Sequence, residues 1–131
     1  IGFRLKGASS QSADYIQVTD NSDNAVFTVA ANGTMTTQGG RIRNTTRVTT
    51  TYQILVSDHV IYCDTDGGAF TATLTASPVD GETYRIVNVG SSGNSLTIDE
   101  NGNALLGSVT TLDLFDGDVL IITFETTEGW W

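Results

Sequence analysis

Few side chains in this 131-residue chain suggest catalysis. His59 is the only histidine and Cys63 the only cysteine. A lone histidine without a thiolate or second imidazole at ligand spacing indicates no zinc site. A Ser/His/Asp hydrolase is not excluded by residue counts, but no G-x-S-x-G turn occurs. We interpret His59 as a strand-edge or interface residue, and Cys63 as a small apolar core residue.

Paired carboxylates are the other candidates for chemistry. The pairs are Asp64 with Asp66, Asp99 with Glu100, and Asp116 with Asp118. Glycoside hydrolysis uses two acids about 5 to 10 Å apart, and Ca²⁺ also binds carboxylate oxygens. Each pair, however, lies near glycines in a predicted turn, where Asp stabilises the backbone. Phosphate-binding glycine loops are also missing from the sequence. We therefore predict turn residues, with no catalytic pair, metal or cofactor.

Charge is distributed unevenly along the chain, whose net charge is −9. Residues 1–48 contain five basic and three acidic residues, whereas residues 49–131 contain one basic and twelve acidic residues. Such an acidic surface repels nucleic acid and anionic lipid. No segment reaches the roughly 18 apolar residues of a transmembrane helix. We predict neither nucleic-acid binding nor membrane insertion. Because the chain begins at Ile1, we expect a fragment of a longer protein.

Strand signals recur every 8 to 12 residues, and no stretch has a helical apolar period. The predicted strands of the second part are 52–56, 60–63, 69–74, 83–89, 95–99, 108–114 and 119–124. With no helix available for parallel crossovers, the pattern predicts an antiparallel β-sandwich or jelly roll. A flexible break at Gln38-Gly39-Gly40 and the change in charge place a domain boundary near residue 48.

Residues 1–48 contain strand, turn, strand, turn, strand, with little to bury. Such a segment needs either the following domain or other copies of itself for stability. Arg41, Arg43 and Arg47 form the only basic cluster, which could bind an anion but is more typical of solvated or subunit-pairing residues.

The segment VLIITF is apolar on both faces of its predicted strand. Val119 and Ile121 alternate with Leu120, Ile122 and Phe124, and a sandwich buries only one face of a strand. A second copy of the chain would cover the other face. The predicted subunit-interface residues are Val26, Val29, Val119, Leu120, Ile122 and Phe124. Trp130 and Trp131 are expected to seal the core or this interface, with sugar stacking as the alternative.

Taken together, residues 51–131 resemble a β domain found at the C-terminal ends of bacteriophage tail fibres and related virion proteins. The matching pieces are 52–56, 61–74, 81–90, 96–102, 114–124 and Gly129-Trp130. Thr75 departs from the pattern, since many relatives have proline there. The run YIQVTDNSDNAVFTVAANGTMTT is similar to a short repeat in which three chains form a triangular β stem.

The resemblance implies an intertwined homotrimer at the tip of a viral fibre, attached to upstream fibre segments. It also implies attachment to a host-surface glycan or protein. Receptor specificity would lie on loops. The predicted receptor-binding residues are Gly67, Gly68, Ser91, Ser92, Asn94, Asn101 and Asn103. Loops 67–68, 90–94 and 101–103 are expected to tolerate substitution without loss of folding. The alternatives are a purely structural trimerisation or decoration module and part of a polysaccharide depolymerase.

Overall fold

The computed structural model describes residues 16–20, 22–30, 32–37 and 43–131. These residues form twelve β-strands, and among them there is no helix long and apolar enough to span a membrane. The chain divides into two units, residues 1–42 and 43–131. The boundary precedes Arg43 rather than lying near residue 48, because Thr45–Val48 is a strand of the second unit. Arg41 lies outside the described residues.

The first unit contains a three-stranded antiparallel sheet, here called the N-terminal sheet. Its strands are β1 (Ile16–Thr19), β2 (Ala25–Val29) and β3 (Met35–Thr37), in the order β1-β2-β3. The carboxylate of Asp20 closes the first turn by accepting the N–H groups of Ser22 and Asn24. Gly33, at φ 84°, makes the second turn. The predicted sequence of strands and turns is confirmed.

One face of the N-terminal sheet is apolar. Its side chains are Ile16, Val18, Phe27, Val29 and Met35, which the strand register places in two neighbouring rows. Ile16, Val18 and Met35 are between 37% and 53% exposed. Because successive side chains on a strand point to opposite faces, Val26 lies on the other face. Val26 and Val29, both predicted as interface residues, therefore lie on opposite faces of β2.

The second unit has two sheets. One contains β5 (Tyr52–Gln53), β7 (Phe70–Thr73), β9 (Leu96–Asp99) and β10 (Thr111–Leu114), in the order β10-β9-β7-β5. The other contains β4 (Thr45–Val48), β6 (Val60–Cys63), β8 (Thr83–Asn88), β11 (Val119–Glu125) and β12 (Gly129–Trp130), in the order β12-β11-β8-β6-β4. The predicted all-β sandwich is confirmed.

Strand pairing differs from the antiparallel prediction. β4, β6 and β8 are parallel neighbours, and so are β5, β7 and β9. The chain alternates between the two sheets, so each crossover between parallel neighbours is an extended strand of the opposite sheet. No helix is needed for that connection, which is why the missing helices did not exclude parallel pairing. Only β10, β11 and β12 add antiparallel pairs to this unit.

The core lies between the two sheets. Alternation places Ile61 and Cys63 inward on β6, and Phe70 and Ala72 inward on β7. The winding also gives the sandwich two ends. The upper end is the one that contains loops 64–69, 89–95 and 115–118. The lower end contains loops 54–59, 74–82, 100–110 and 126–128.

Candidate functional site

The upper-end loops that hold most of the predicted receptor-binding residues are hydrogen-bonded to one another. Ser91 N donates to Asp66 Oδ1 at 2.6 Å, and the Asn94 side-chain amide donates to Thr65 O at 2.8 Å. Ser92 Oγ also donates to Thr65 O. The structure therefore brings Gly67, Gly68, Ser91, Ser92 and Asn94 to one end, but much of their polar capacity stabilises the loops themselves.

Gly90 lies at the centre of these loops and is buried. A Cβ at this position would overlap Thr65 Oγ1, which hydrogen-bonds Asn88 Oδ1 at 3.0 Å. The predicted tolerance of substitution across residues 90–94 therefore does not extend to Gly90. Gly67, by contrast, has open space where a Cβ would lie.

The acids of the upper end serve as turn acceptors. Asp64 accepts from Arg47, 2.7 Å away, which lowers the pKa of the Asp64 carboxyl. Asp116 Oδ2 accepts from Gly93 N at 2.7 Å, and Asp118 Oδ2 accepts from Phe115 N at 2.8 Å. Across the described ranges, no three His, Cys, Asp or Glu side chains are grouped as metal ligands.

Asn101 and Asn103 lie at the lower end, away from the other predicted receptor-binding residues. The Asn101 side chain donates to Leu74 O at 2.7 Å, and Asn103 donates to Thr75 O at 3.4 Å. Asn101 also has a positive φ of 54°, which asparagine tolerates better than most residues. The seven predicted receptor-binding residues therefore lie at two ends of the sandwich, and these two asparagines fix the 100–103 turn to the end of β7.

Strand β11 is apolar on both faces, as predicted, but three of its four predicted interface residues point toward the core. Ile122 and Phe124 are buried, and Leu120 packs against the core. The chain itself therefore covers Ile122 and Phe124, and it covers Leu120 in part. Val119 and Ile121 point outward and are 45% and 62% exposed.

The outer face of the five-stranded sheet, the face directed away from the core, carries an apolar row. Tyr62, Val87 and Val119 are cross-strand neighbours on β6, β8 and β11. The outer face of the four-stranded sheet is different, since it carries threonines and acids such as Thr97 and Asp113, which hydrogen-bond at 2.7 Å. Only one outer face of the sandwich is therefore apolar.

A depression of about 360 Å³ lies beside the apolar row on the same outer face, nearer the lower end. We call it the cationic depression; it is lined by Arg43, His59, Val60, Thr83, Arg85 and Ile121. Strand register explains the grouping, because Arg85 pairs with both Val60 and Ile121. Its lining contains two guanidinium groups and no acid.

The two arginines of the cationic depression have no ion pair within residues 43–131. The ion pair found there joins Arg47 to Asp64 instead. Residues 43–131 contain three arginines against twelve acids. Two of these three arginines therefore line one depression without an ion pair in this unit. This collection of charge would favour an anion.

An adjoining depression of about 400 Å³ shares Arg43, His59 and Thr83, and contains Asp58 and Glu82. This acid pair was missed from sequence. Glu82 accepts from Tyr84 OH and Thr75 Oγ1, and its other oxygen accepts from Val79 N. Asp58 is likewise held by three donors. Both carboxylates therefore accept several hydrogen bonds from the surrounding chain.

Cys63 lies inside the core, as predicted from its sequence context. It is fully buried, and desolvation raises the pKa of its thiol to about 12. A thiol that stays protonated at neutral pH is a poor nucleophile. Burial also raises the pKa of Tyr84, and burial with the Asp58 hydrogen bond raises that of Tyr52.

Trp130 and Trp131 have different environments. Trp130 is fully buried, with its ring centre 5.6 Å from that of Tyr84 and 5.2 Å from that of Phe124. The prediction that it seals the core is confirmed. Trp131 is 51% exposed, and its indole N–H donates to Glu128 O at 3.2 Å.

Comparison with protein-family models and with curated proteins finds no match for this chain.

Proposed function

We propose that this chain is a non-enzymatic attachment module at the tip of a viral tail fibre, acting as a homotrimer on a host-surface glycan. The proposal combines the sequence resemblance to phage fibre domains with two uncovered apolar surfaces. Its upstream partners would be other segments of the same fibre, and its location the outside of the virion.

The apolar face of the N-terminal sheet carries the proposal. Ile16 and Val18 on β1 and Met35 on β3 remain between 37% and 53% exposed, and Val29 between them is only half-buried. An apolar face left exposed on so small a sheet is typical of a surface that contacts another chain. Three copies packed around an axis would cover these faces on one another. The outer-face row of Tyr62, Val87 and Val119 offers a second surface for the same association.

A non-enzymatic role is supported by the burial of the one cysteine and by the hydrogen bonds that two acids already accept. Cys63 is protonated in the core, and Asp58 and Glu82 each accept several framework hydrogen bonds. Among the described acids, these two line a depression together with His59. A depolymerase would need two carboxyl groups that face its substrate on either side of the cleaved bond.

Light scattering on the 131-residue chain tests the assembly. We expect three times the chain mass of 13.9 kDa, and a well-folded monomer would contradict the trimer. Attachment is tested by incubating labelled protein with a panel of bacterial strains. Saturable binding to some strains supports the proposal. A trimer that binds none would favour a purely structural trimerisation or decoration module.

A further inference from the structure

We infer that the cationic depression binds a carboxylate-bearing saccharide unit, such as a uronic acid, through Arg43 and Arg85. The inference rests on the proposed attachment function and names the class of ligand that this function would use.

Charge is the first reason. Arg43 and Arg85 line the depression without an ion pair among residues 43–131, while twelve acids are spread over the rest of that unit. A guanidinium binds a carboxylate through two parallel hydrogen bonds, which is stronger and more directional than contact with a point charge. The acids elsewhere, including Asp58 and Glu82 in the adjoining depression, would repel an anion, so its binding would be confined to the acid-free lining around Arg43 and Arg85.

Shape and lining are the second reason. A depression of about 360 Å³ is within the range of small-molecule sites and suits about one sugar ring. Val60 and Ile121 form its apolar side, where the C–H face of a pyranose could pack. Thr83 and His59 add polar groups to the lining. The Thr83 hydroxyl already lies 2.9 Å from Thr123 Oγ1, which orients it within the sheet surface.

The framework is the third reason. Thr83 and Arg85 lie on β8, Val60 begins β6, and Ile121 lies on β11, so three paired strands hold four lining residues at fixed spacing. Arg85 N also donates to His59 O at 3.0 Å, which ties the histidine to the same strand. Sites on strands keep their geometry better than sites on loops.

The test uses the 131-residue chain and a uronic acid trimer, trigalacturonate, in calorimetric titration. Its methyl ester is the matched neutral ligand, with the same sugars and no charge. We expect binding of the acid and none of the ester. Arg85→Gln should weaken binding about tenfold or more, the range for a hydrogen bond to a charged group. Arg47→Gln is the control, because Arg47 pairs with Asp64 outside the depression and should bind like the wild type.

Several results would overturn the inference. They are failure of the wild type to bind trigalacturonate, equal binding of acid and ester, and unchanged binding by Arg85→Gln. Equally tight binding of inorganic phosphate at matched ionic strength would show that the depression binds anions in general and is not specific for a saccharide. A lower assembly mass for Arg85→Gln would assign the depression to a contact between copies. A trimer that attaches to cells but ignores trigalacturonate would refute this inference alone, whereas binding by a non-attaching monomer would refute only the proposed function.

Discussion

The hydroxyl of Tyr52 donates a hydrogen bond of 2.9 Å to Asp58 Oδ2, and through this carboxylate the two sheets of the sandwich are joined. Tyr52 lies on β5 of the four-stranded sheet. Thr46, on β4 of the five-stranded sheet, donates to the other oxygen of Asp58 at 2.7 Å. Leu55 N donates to Oδ2 at 2.9 Å. Asp58 is only 4% exposed, so these three donors replace most of its contact with water.

Replacing Asp58 with alanine should lower the free energy of unfolding by about 2 kcal/mol, because partly buried donors on Thr46, Tyr52 and Leu55 lose their acceptor. Tyr52→Phe removes one of these bonds and should cost about 1 kcal/mol. Urea unfolding followed by tryptophan fluorescence measures both changes. Asp113→Ala is the control, since that acid accepts from Thr97 on an exposed face. Equal stability of Asp58→Ala and the control would refute the joining role.

Val119 and Ile122 lie on opposite faces of β11, and their substitutions should separate association from folding. Val119→Lys adds a charge to the exposed apolar row. It should lower the mass of the assembly in solution with little change in secondary structure. Ile122→Ala opens a cavity in the core and should lower the free energy of unfolding by about 3 kcal/mol. Light scattering and urea unfolding measure the two effects.

Thr111→Lys provides the matched charge change on the outer face of the four-stranded sheet, where Thr111 is exposed. It should leave the mass unaltered. If Val119→Lys and Thr111→Lys both assemble like the wild type, the apolar row of the five-stranded sheet takes no part in association.

Alternating apolar residues were enough to predict most strands of the second unit. Val60–Cys63 has the predicted bounds, and Val119–Glu125 extends the predicted strand by one residue. The strand Thr45–Val48 was missed because its only apolar residue is Val48. The predicted strand at Tyr52 ends at Gln53, because Asp58 binds Leu55 N and holds a turn there. Alternation assigns faces, but it carries no information about parallel or antiparallel partners.

The candidate site was less predictable than the fold. Glycine-rich and asparagine-rich loops correctly marked turns, yet the same residues form internal hydrogen bonds. The sequence places Arg43 in a basic cluster with Arg41 and Arg47. Arg85 was not connected with it, because the two are far apart in sequence and meet only through the pairing of β4, β6 and β8. The acids Asp58 and Glu82 were missed for the same reason.

Gly90 and Gly67 lie in neighbouring loops but should differ sharply in tolerance. Gly90→Ala forces a Cβ against the buried Thr65 hydroxyl, and such overpacking should cost about 2 kcal/mol. Gly67→Ala meets no atom within 4 Å and its φ is not positive, so stability should be unchanged or slightly higher. Thermal unfolding of the two variants under one buffer condition measures this difference. Equal melting temperatures would contradict the close packing at Gly90.

Cys63 should make the protein less stable in alkali. Burial raises the pKa of its thiol to about 12 in the folded chain, whereas an exposed thiol titrates near about 8.5. Between these values the unfolded chain loses the proton and the folded chain keeps it. The contribution of Cys63 to the free energy of unfolding is therefore fully present below about pH 8.5. It falls as pH rises above that value, by at most about 1.4 kcal/mol per pH unit.

Urea unfolding from about pH 7 to about pH 10 tests this dependence, with Cys63→Ala as the comparison. The variant should be less stable at neutral pH because it leaves a cavity, but its stability should fall less between about pH 8.5 and 10. Above about pH 10 both proteins should lose stability, because the pKa values of Tyr52 and Tyr84 are also raised in the fold. Parallel curves for the two proteins below pH 10 would show that the thiol is not the group responsible.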